Sequence, residues 1–234
     1  MTNHDQVPYS CSFSFSDAKI FESLTADEMI LVKQNSVMLT YKKGEIIFKQ
    51  GTFATHLALL TSGLTKIYIA DYNNDQKLIL KILPPVNLIG IAFLSEENST
   101  FFYSVQAYVD TTIELIDINI LRKIIRQNAL FAARIIDLMC EHTLINYGRF
   151  FCMTHKQTYG RMADVLLCLA MRIYKQKLFH LELSRKELAE LAGMSVESTV
   201  RILTKFKEDG LIKTEGKTIE ILQTEKLQEI SKKG

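Results

Sequence analysis

The chain has no tryptophan and only three prolines, Pro8, Pro84 and Pro85. Everything beyond Pro85 is therefore free to run as uninterrupted helix. Its four cysteines, Cys11, Cys140, Cys152 and Cys168, stand far apart, with no CxxC pair. Zinc and iron–sulfur sites normally need cysteines paired at short spacing, so that ligation is not indicated. A disulfide framework is not expected either, and the thiols read as small, buried apolar side chains. No run approaches 18 uncharged apolar residues, so no helical membrane span is expected. The opening MTNHDQVPYS lacks the basic and then apolar pattern of a secretory leader, which points to the cytoplasm. GxGxxG, P-loop and HExxH motifs are missing, as is any recognisable nucleophile–base pairing, which argues against an enzyme.

What is present is ordinary for globular protein, with 47% hydrophobic and 23% charged residues among 234. That length suits one or two domains, at roughly 150 residues each. The 28 basic and 26 acidic residues leave a net of +2 that decides little. Residues 160–234 hold 14 basic and 11 acidic side chains, a net of +3, against −1 for the rest. A mildly basic end fits nucleic acid, but a solvated face gives the same count. More telling, no Lys, Arg or His lies between Lys81 and Arg122, where Glu96, Glu97, Asp110, Glu114 and Asp117 all fall. That segment offers no side-chain cation to an anion.

Three segments follow. Residues 38–117 alternate short apolar and β-branched runs (45–49, 56–61, 64–70, 78–83, 102–107 and 112–116) with turns at Gly44, Gly51, Gly63 and 71–75. Many short strands at regular spacing predict an antiparallel barrel or jelly roll. From residue 119 the period becomes helical. Phe131, Ile135, Leu138, Met139, His142, Ile145, Arg149, Phe150 and Met153 recur at three and four. Residues 129–157 then form one helix of roughly 28 residues, about 42 Å long. A helix that long, with an apolar stripe, is expected to pair with a second copy of itself. Gly148 within it fits either a close helix–helix approach or a kink.

The third segment, 158–234, opens with one amphipathic helix over 159–175 and continues as LSRKELAELAGMSVESTVRILTKFKEDG (183–210). Ser184 and Glu187 form a capping-box pattern, Gly193 suits a left-handed helix end, and Ser195 caps a second helix from Val196. Leu188, Ala189, Ala192, Met194, Thr199, Ile202 and Leu203 are apolar or small where two crossed helices need it. Val196, Glu197, Ser198, Val200, Arg201 and Lys205 then face outward. A recognition helix lays such N-terminal residues against base edges, where Arg reads guanine and Glu accepts from cytosine. Glu197 and Arg201, four apart, could equally be a surface ion pair. A hairpin, LIKTEGKTIEIL (211–222), turning at Glu215–Gly216–Lys217, adds a wing and favours DNA. The candidate DNA-contacting set is thus Ser184, Ser195, Val196, Glu197, Ser198, Val200, Arg201, Lys205 and Lys217.

In this order the segments resemble the Crp/Fnr family of bacterial transcription regulators over nearly the whole chain. YKKGEIIFKQGTFATHLALLTSGLTKIYI resembles the family's β-roll and TYGRMADVLLCLA the first helix of its DNA-binding domain. MSVESTVRIL resembles its recognition helix. The resemblance implies an α+β fold: an N-terminal antiparallel β-roll of the cyclic-nucleotide-binding, jelly-roll kind over 1–118, a helical linker with the long dimerisation helix over 119–157, and a winged helix-turn-helix over 158–234. It implies a homodimer on double-stranded DNA that works with RNA polymerase.

Glu197 and Arg201 match the family's base-reading pair, and Val196 stands where the cyclic-AMP branch has Arg. That implies a half-site nearer TTGA than TGTGA, with Val200 departing from the Ser of the Fnr-like branch. In the sensor, Gly90 matches the glycine before the family's ribose-binding acid, but Ile91 follows, and the phosphate-binding Arg position falls near Phe101 or Phe102. Cyclic AMP and the iron–sulfur cluster, which needs clustered N-terminal cysteines, are both disfavoured. The effector residues the resemblance implies are Gly90, Ile91, Phe93, Phe101, Phe102 and Tyr103, with Asn146 and Tyr147 from the long helix. Two readings remain: a filled core with no ligand, or an unidentified small-molecule effector of apolar character, haem included. His56 and His142 are either its iron ligands or structural hydrogen-bonders. The competing function is an effector-binding module acting through protein contacts alone.

Overall fold

The computed structural model describes residues 17–71, 76–97 and 99–234; Cys11 and most of the 71–75 turn lie outside them. A 3-10 turn, Asp17–Ser23, leads into α1 (Ala26–Gln34). Thr25 and Glu28 cap α1 reciprocally. Eight strands follow: β1 (Ser36–Tyr41), β2 (Ile46–Phe48), β3 (His56–Ser62), β4 (Thr65–Asp71), β5 (Gln76–Leu83), β6 (Asn87–Ile89), β7 (Ser104–Ala107) and β8 (Thr111–Asp117). They form two four-stranded sheets, ordered β1-β8-β3-β6 and β2-β7-β4-β5. The jelly-roll expectation holds, with β1 beginning two residues earlier than the pattern suggested and β6 unforeseen. Gly63 is one turn position where only glycine serves. Its φ is +95, and a Cβ there would lie 2.7 Å from the Thr111 Cα.

The helix α2 (Ile118–Gln127) leads to α3 (Ala129–His155), 27 residues without interruption. Asn128 sets the break between them. Its side chain donates to the Ser23 carbonyl and to Glu28, and accepts from the Phe131 N–H. Phe131, Ile135 and Leu138 join Leu57, Phe93, Phe101, Leu121 and Ile124 in one core.

This corrects the expected dimer stripe. Of that stripe, Phe131, Ile135, Leu138 and Arg149 are buried and His142, Ile145 and Met153 half-buried, while Met139 and Phe150 are exposed, as are Ile136, Cys140, Thr143 and Tyr147 beside them. A single helix with two apolar faces cannot be assigned from periodicity alone.

The C-terminal elements are α4 (Thr158–Cys168), β9 (Leu178–His180), α5 (Arg185–Ala192), α6 (Val196–Glu208), β10 (Ile212–Glu215), β11 (Thr218–Ile221) and α7 (Thr224–Lys233). After α4 the helix continues as a π turn, Leu169–Ile173, and Lys175 at φ +54 ends it. The hairpin β10–β11 gains a third strand, β9, which the sequence had not shown. Cys140 and Cys168 are free, whereas Cys152 is disulfide-bonded, against the expectation that no cysteine is bridged. By compactness the described chain divides into two units, one of residues 17–76 and 82–143, the other of 77–81 and 144–234.

Candidate nucleic-acid interface and sensor site

The helix pair α5–α6 is positioned by caps. Ser184 Oγ accepts from the Glu187 N–H at 3.2 Å, and the Glu187 carboxylate accepts from the Ser184 N–H at 2.9 Å. Gly193 ends α5 at φ +60, where a Cβ would lie 2.0 Å from the Met153 Cε. Two guanidinium groups hold this end. Arg161 donates to the carbonyls of Gly193 at 3.2 Å and Met153 at 2.9 Å. Arg149 donates to those of Leu191 at 2.9 Å and Ile79 at 2.7 Å. Cations suit the carbonyl end of a helix. Burial lowers the Arg149 pKa to about 10, which still leaves it charged at neutral pH. Sequence reasoning placed Arg149 on an intermolecular stripe and gave Arg161 no role. An arginine at a buried helical position was the available signal.

Ser195 Oγ caps α6 by accepting from the Ser198 N–H at 3.1 Å, and it also bonds the Ser198 hydroxyl at 3.0 Å. Thr199, Ile202, Leu203 and Phe206 face inward, with Phe206 edge-on to Tyr159 at 4.7 Å between centroids. Val196, Glu197, Val200, Arg201 and Lys205 face outward. Glu197 and Arg201 form no ion pair with each other. Among the described residues neither side chain has a hydrogen-bonding or ionic partner. Lys205 differs: its ammonium lies 2.8 Å from Asp209, and that hydrogen bond raises its pKa. Lys217 is exposed beside Gly216 at the wing's turn, and its carbonyl accepts from the Leu181 N–H.

The candidate sensor is built inward. Gly90 adopts φ +104 ahead of a 3-10 turn, Ile91–Leu94, whose Ile91 and Phe93 are buried. Phe101 stacks on Phe48 at 4.4 Å and meets Phe93 edge-on at 4.7 Å, and Tyr103 tilts against Phe93 at 5.4 Å. The Tyr103 hydroxyl accepts from the Gly90 N–H, and burial pushes the phenol pKa up. Arg122 on α2 donates to the carbonyls of Phe93, Leu94 and Ser95, each at 3.0 Å, saturating the far end of the turn.

Phe102 points away and is 63% exposed. Asn146 and Tyr147 are exposed on α3 and belong to the other unit. His56 bonds Thr55 through Nδ1 at 2.9 Å, and His142 is half-buried on α3. Among the described residues, no group of three His, Cys, Asp or Glu could hold a metal. No helix there is long and apolar enough to cross a membrane.

Capped crossed helices with a three-stranded wing, joined by a long helix to a jelly roll, define a winged helix-turn-helix regulator with a sensor-type β-roll. The comparisons agree. The Crp-like helix-turn-helix domain matches residues 160–230, and the cyclic nucleotide-binding domain matches 38–128. The transcriptional activator protein anr of Pseudomonas aeruginosa is 28% identical over 211 residues, covering 86% of this chain and 84% of that protein. The cyclic AMP receptor protein of Thermus thermophilus is 26% identical over 213 residues, covering 91% and 96%. In fold, the chain is similar to a transcriptional regulator of the crp/fnr family from Eubacterium rectale, with a TM-score of 0.76 at 22% identity over 91% of this chain and 97% of that one. The chain belongs to the Crp/Fnr family of DNA-binding transcription regulators.

Proposed function

We propose that the chain acts as a homodimer on a palindromic site with TTGA-like half-sites, reading each through Glu197 and Arg201. The observation that carries this is the pair itself. A carboxylate and a guanidinium lie one turn apart at the exposed start of a capped helix, with neither neutralised by its neighbours. Arg reads guanine through O6 and N7, and Glu accepts from cytosine N4, so the two together suit a G·C pair and its neighbour. Val196, where a third polar reader would extend the half-site, offers no hydrogen bond. Lys217 and Lys205 serve phosphates, Lys205 by exchanging Asp209 for the backbone. Ser184, Ser195 and Ser198 act by positioning the helix starts, whose N–H groups also face the phosphates.

The dimer seam is the exposed face of α3, Ile136, Met139, Thr143, Tyr147 and Phe150, which would set two recognition helices one DNA turn, about 34 Å, apart. The β-roll reads best as a packed core at the position of the family's nucleotide site. Rings occupy it, Arg122 binds carbonyls rather than a phosphate, and 82–121 holds no cation. Any signal it receives, from an effector or a redox change, then reaches DNA by altering α3 packing. RNA polymerase is the expected partner once DNA is bound.

Selection of bound sequences from random duplexes by the purified protein, with nothing added, tests the reading. A TTGA-like palindrome is expected; a TGTGA palindrome, or no enrichment from a folded dimer, overturns it. The alternative, a module acting only through protein contacts, predicts no steep loss of duplex binding with salt.

A further inference from the structure

Cys152 is the one bridged cysteine among the described residues, and its partner follows by elimination. The chain has four cysteines; Cys140 and Cys168 are free, which leaves Cys11. The sequence around Cys11 has the pattern of a strand. Tyr9, Cys11, Phe13 and Phe15 alternate with Ser10, Ser12, Ser14 and Ser16, an unbroken two-residue period with one apolar side and one hydroxyl side. Cys152 is 1% exposed near the end of α3. One turn earlier on the same side of that helix, Arg149 donates to the Ile79 carbonyl of β5 at 2.7 Å, so Cys152 lies close to β5. That strand pairs with β4 on one side and, among the described residues, with no strand on the other. An open sheet edge offers backbone donors and acceptors to one more strand.

We infer that residues 9–16 add to the open edge of β5 as an extended strap, closed by a redox-sensitive disulfide between Cys11 and Cys152. The bond forms by exchange with a small disulfide of the glutathione class. One cysteine thiolate attacks that disulfide and expels a thiol; the other then attacks the mixed disulfide and expels the second. One S–S bond is broken and one made, and the two electrons and two protons lost by the cysteines pass to the oxidant. A bridge in a protein that works on DNA, in a compartment kept reducing, is a reversible, regulatory one. The strap grips α3 where that helix holds α5. Arg149 donates to the Leu191 carbonyl, and Met153 lies against Gly193 with its carbonyl bonded to Arg161. Closing the strap therefore stiffens the stretch that orients α6, and a helix pair ordered beforehand loses less freedom on binding. This last step rests on α6 being the DNA reader.

The test equilibrates the full-length protein in glutathione buffers from fully reduced to fully oxidised, alkylates the free thiols, and maps bridges by digestion and mass spectrometry. A Cys11–Cys152 peptide pair is expected, forming and disappearing reversibly. Backbone hydrogen exchange across 9–16 should be slow in the oxidised protein and fast after reduction. Reduction should also weaken binding to the selected duplex by about fivefold or more, the lower bound for coupling between two sites. Cys11→Ser should bind that duplex as the reduced wild type does in every buffer, and the wild-type arms do not depend on this variant. Four free thiols in the oxidising buffer, a bridge from Cys152 to another cysteine, or fast exchange over 9–16 in the oxidised protein overturns the strap. Equal duplex binding in both redox states overturns its regulatory role. Binding to no duplex in either state overturns the recognition-helix reading instead, while the peptide map and exchange rates still decide the strap.

Discussion

The 90–103 segment of the β-roll and the first two turns of α6 both carry residues that the family resemblance marks as functional, and they are built oppositely. In the β-roll segment the buried turn and its rings are held by internal partners. Tyr103 takes the Gly90 N–H, Arg122 takes three successive carbonyls, and the rings of Phe48, Phe93 and Phe101 pack on each other. On α6 only the inner side is committed. Ser195 caps the helix, while Glu197 and Arg201 face solvent without partners among the described residues. A charged group with no internal partner can be desolvated only against something that binds it, whereas a satisfied one has no such need. The difference supports the proposal that recognition lies at the start of α6, with the β-roll serving as structure and lever.

The sharpest way to break that contrast is to truncate the packed rings. Phe93→Ala or Phe101→Ala should cost about 3–5 kcal/mol in denaturant unfolding, as expected for buried aromatic rings. A cost below about 1 kcal/mol would mean that the rings line a ligand space instead. Next comes the α3 face. Ile136→Glu should remove dimer contacts worth about 2 kcal/mol or more and shift sedimentation toward monomer at micromolar concentration. An unchanged dimer would place the seam elsewhere. On α6, Arg201→Ala should weaken specific binding by about 1–3 kcal/mol, with no change in thermal unfolding.

The smallest effect concerns acid. Hydrogen bonds from the Thr25 backbone and Asn128 hold Glu28 below the usual carboxylate range. A carboxylate with a depressed folded-state pKa lends stability at neutral pH and loses it as pH falls through that pKa. Glu28→Gln should therefore lower stability slightly at neutral pH and converge with the wild type below about pH 4, flattening the acid limb.

Much of this was legible in the sequence. The strands of the β-roll, the α5–α6 pair with both caps, and the hairpin after it all follow from local signals: apolar alternation, Ser-x-x-Glu, and glycines where φ is positive. What was hidden depends on tertiary context. The periodicity of α3 showed one apolar stripe, and the structure divides it: Phe131, Ile135 and Leu138 are buried in the core whereas Met139 and Phe150 are exposed, a split that spacing alone does not reveal. Strand β9 is three residues of unremarkable composition that pair only because β11 lies beside them. The clamp of Arg149 and Arg161 on the end of α5 joins positions more than thirty residues apart, beyond any local pattern. The disulfide at Cys152 likewise followed from no spacing. At the sensor, the aromatic residues were visible, but whether they lined a space or filled it could be read only from their mutual distances.

The claim that α6 reads DNA through Glu197 and Arg201 is tested most directly by repeating the random-duplex selection with Arg201→Ala beside the wild type. The account predicts that both proteins return the same half-site spacing, and that the variant loses preference at the G·C pair alone. An unaltered motif from Arg201→Ala would contradict it.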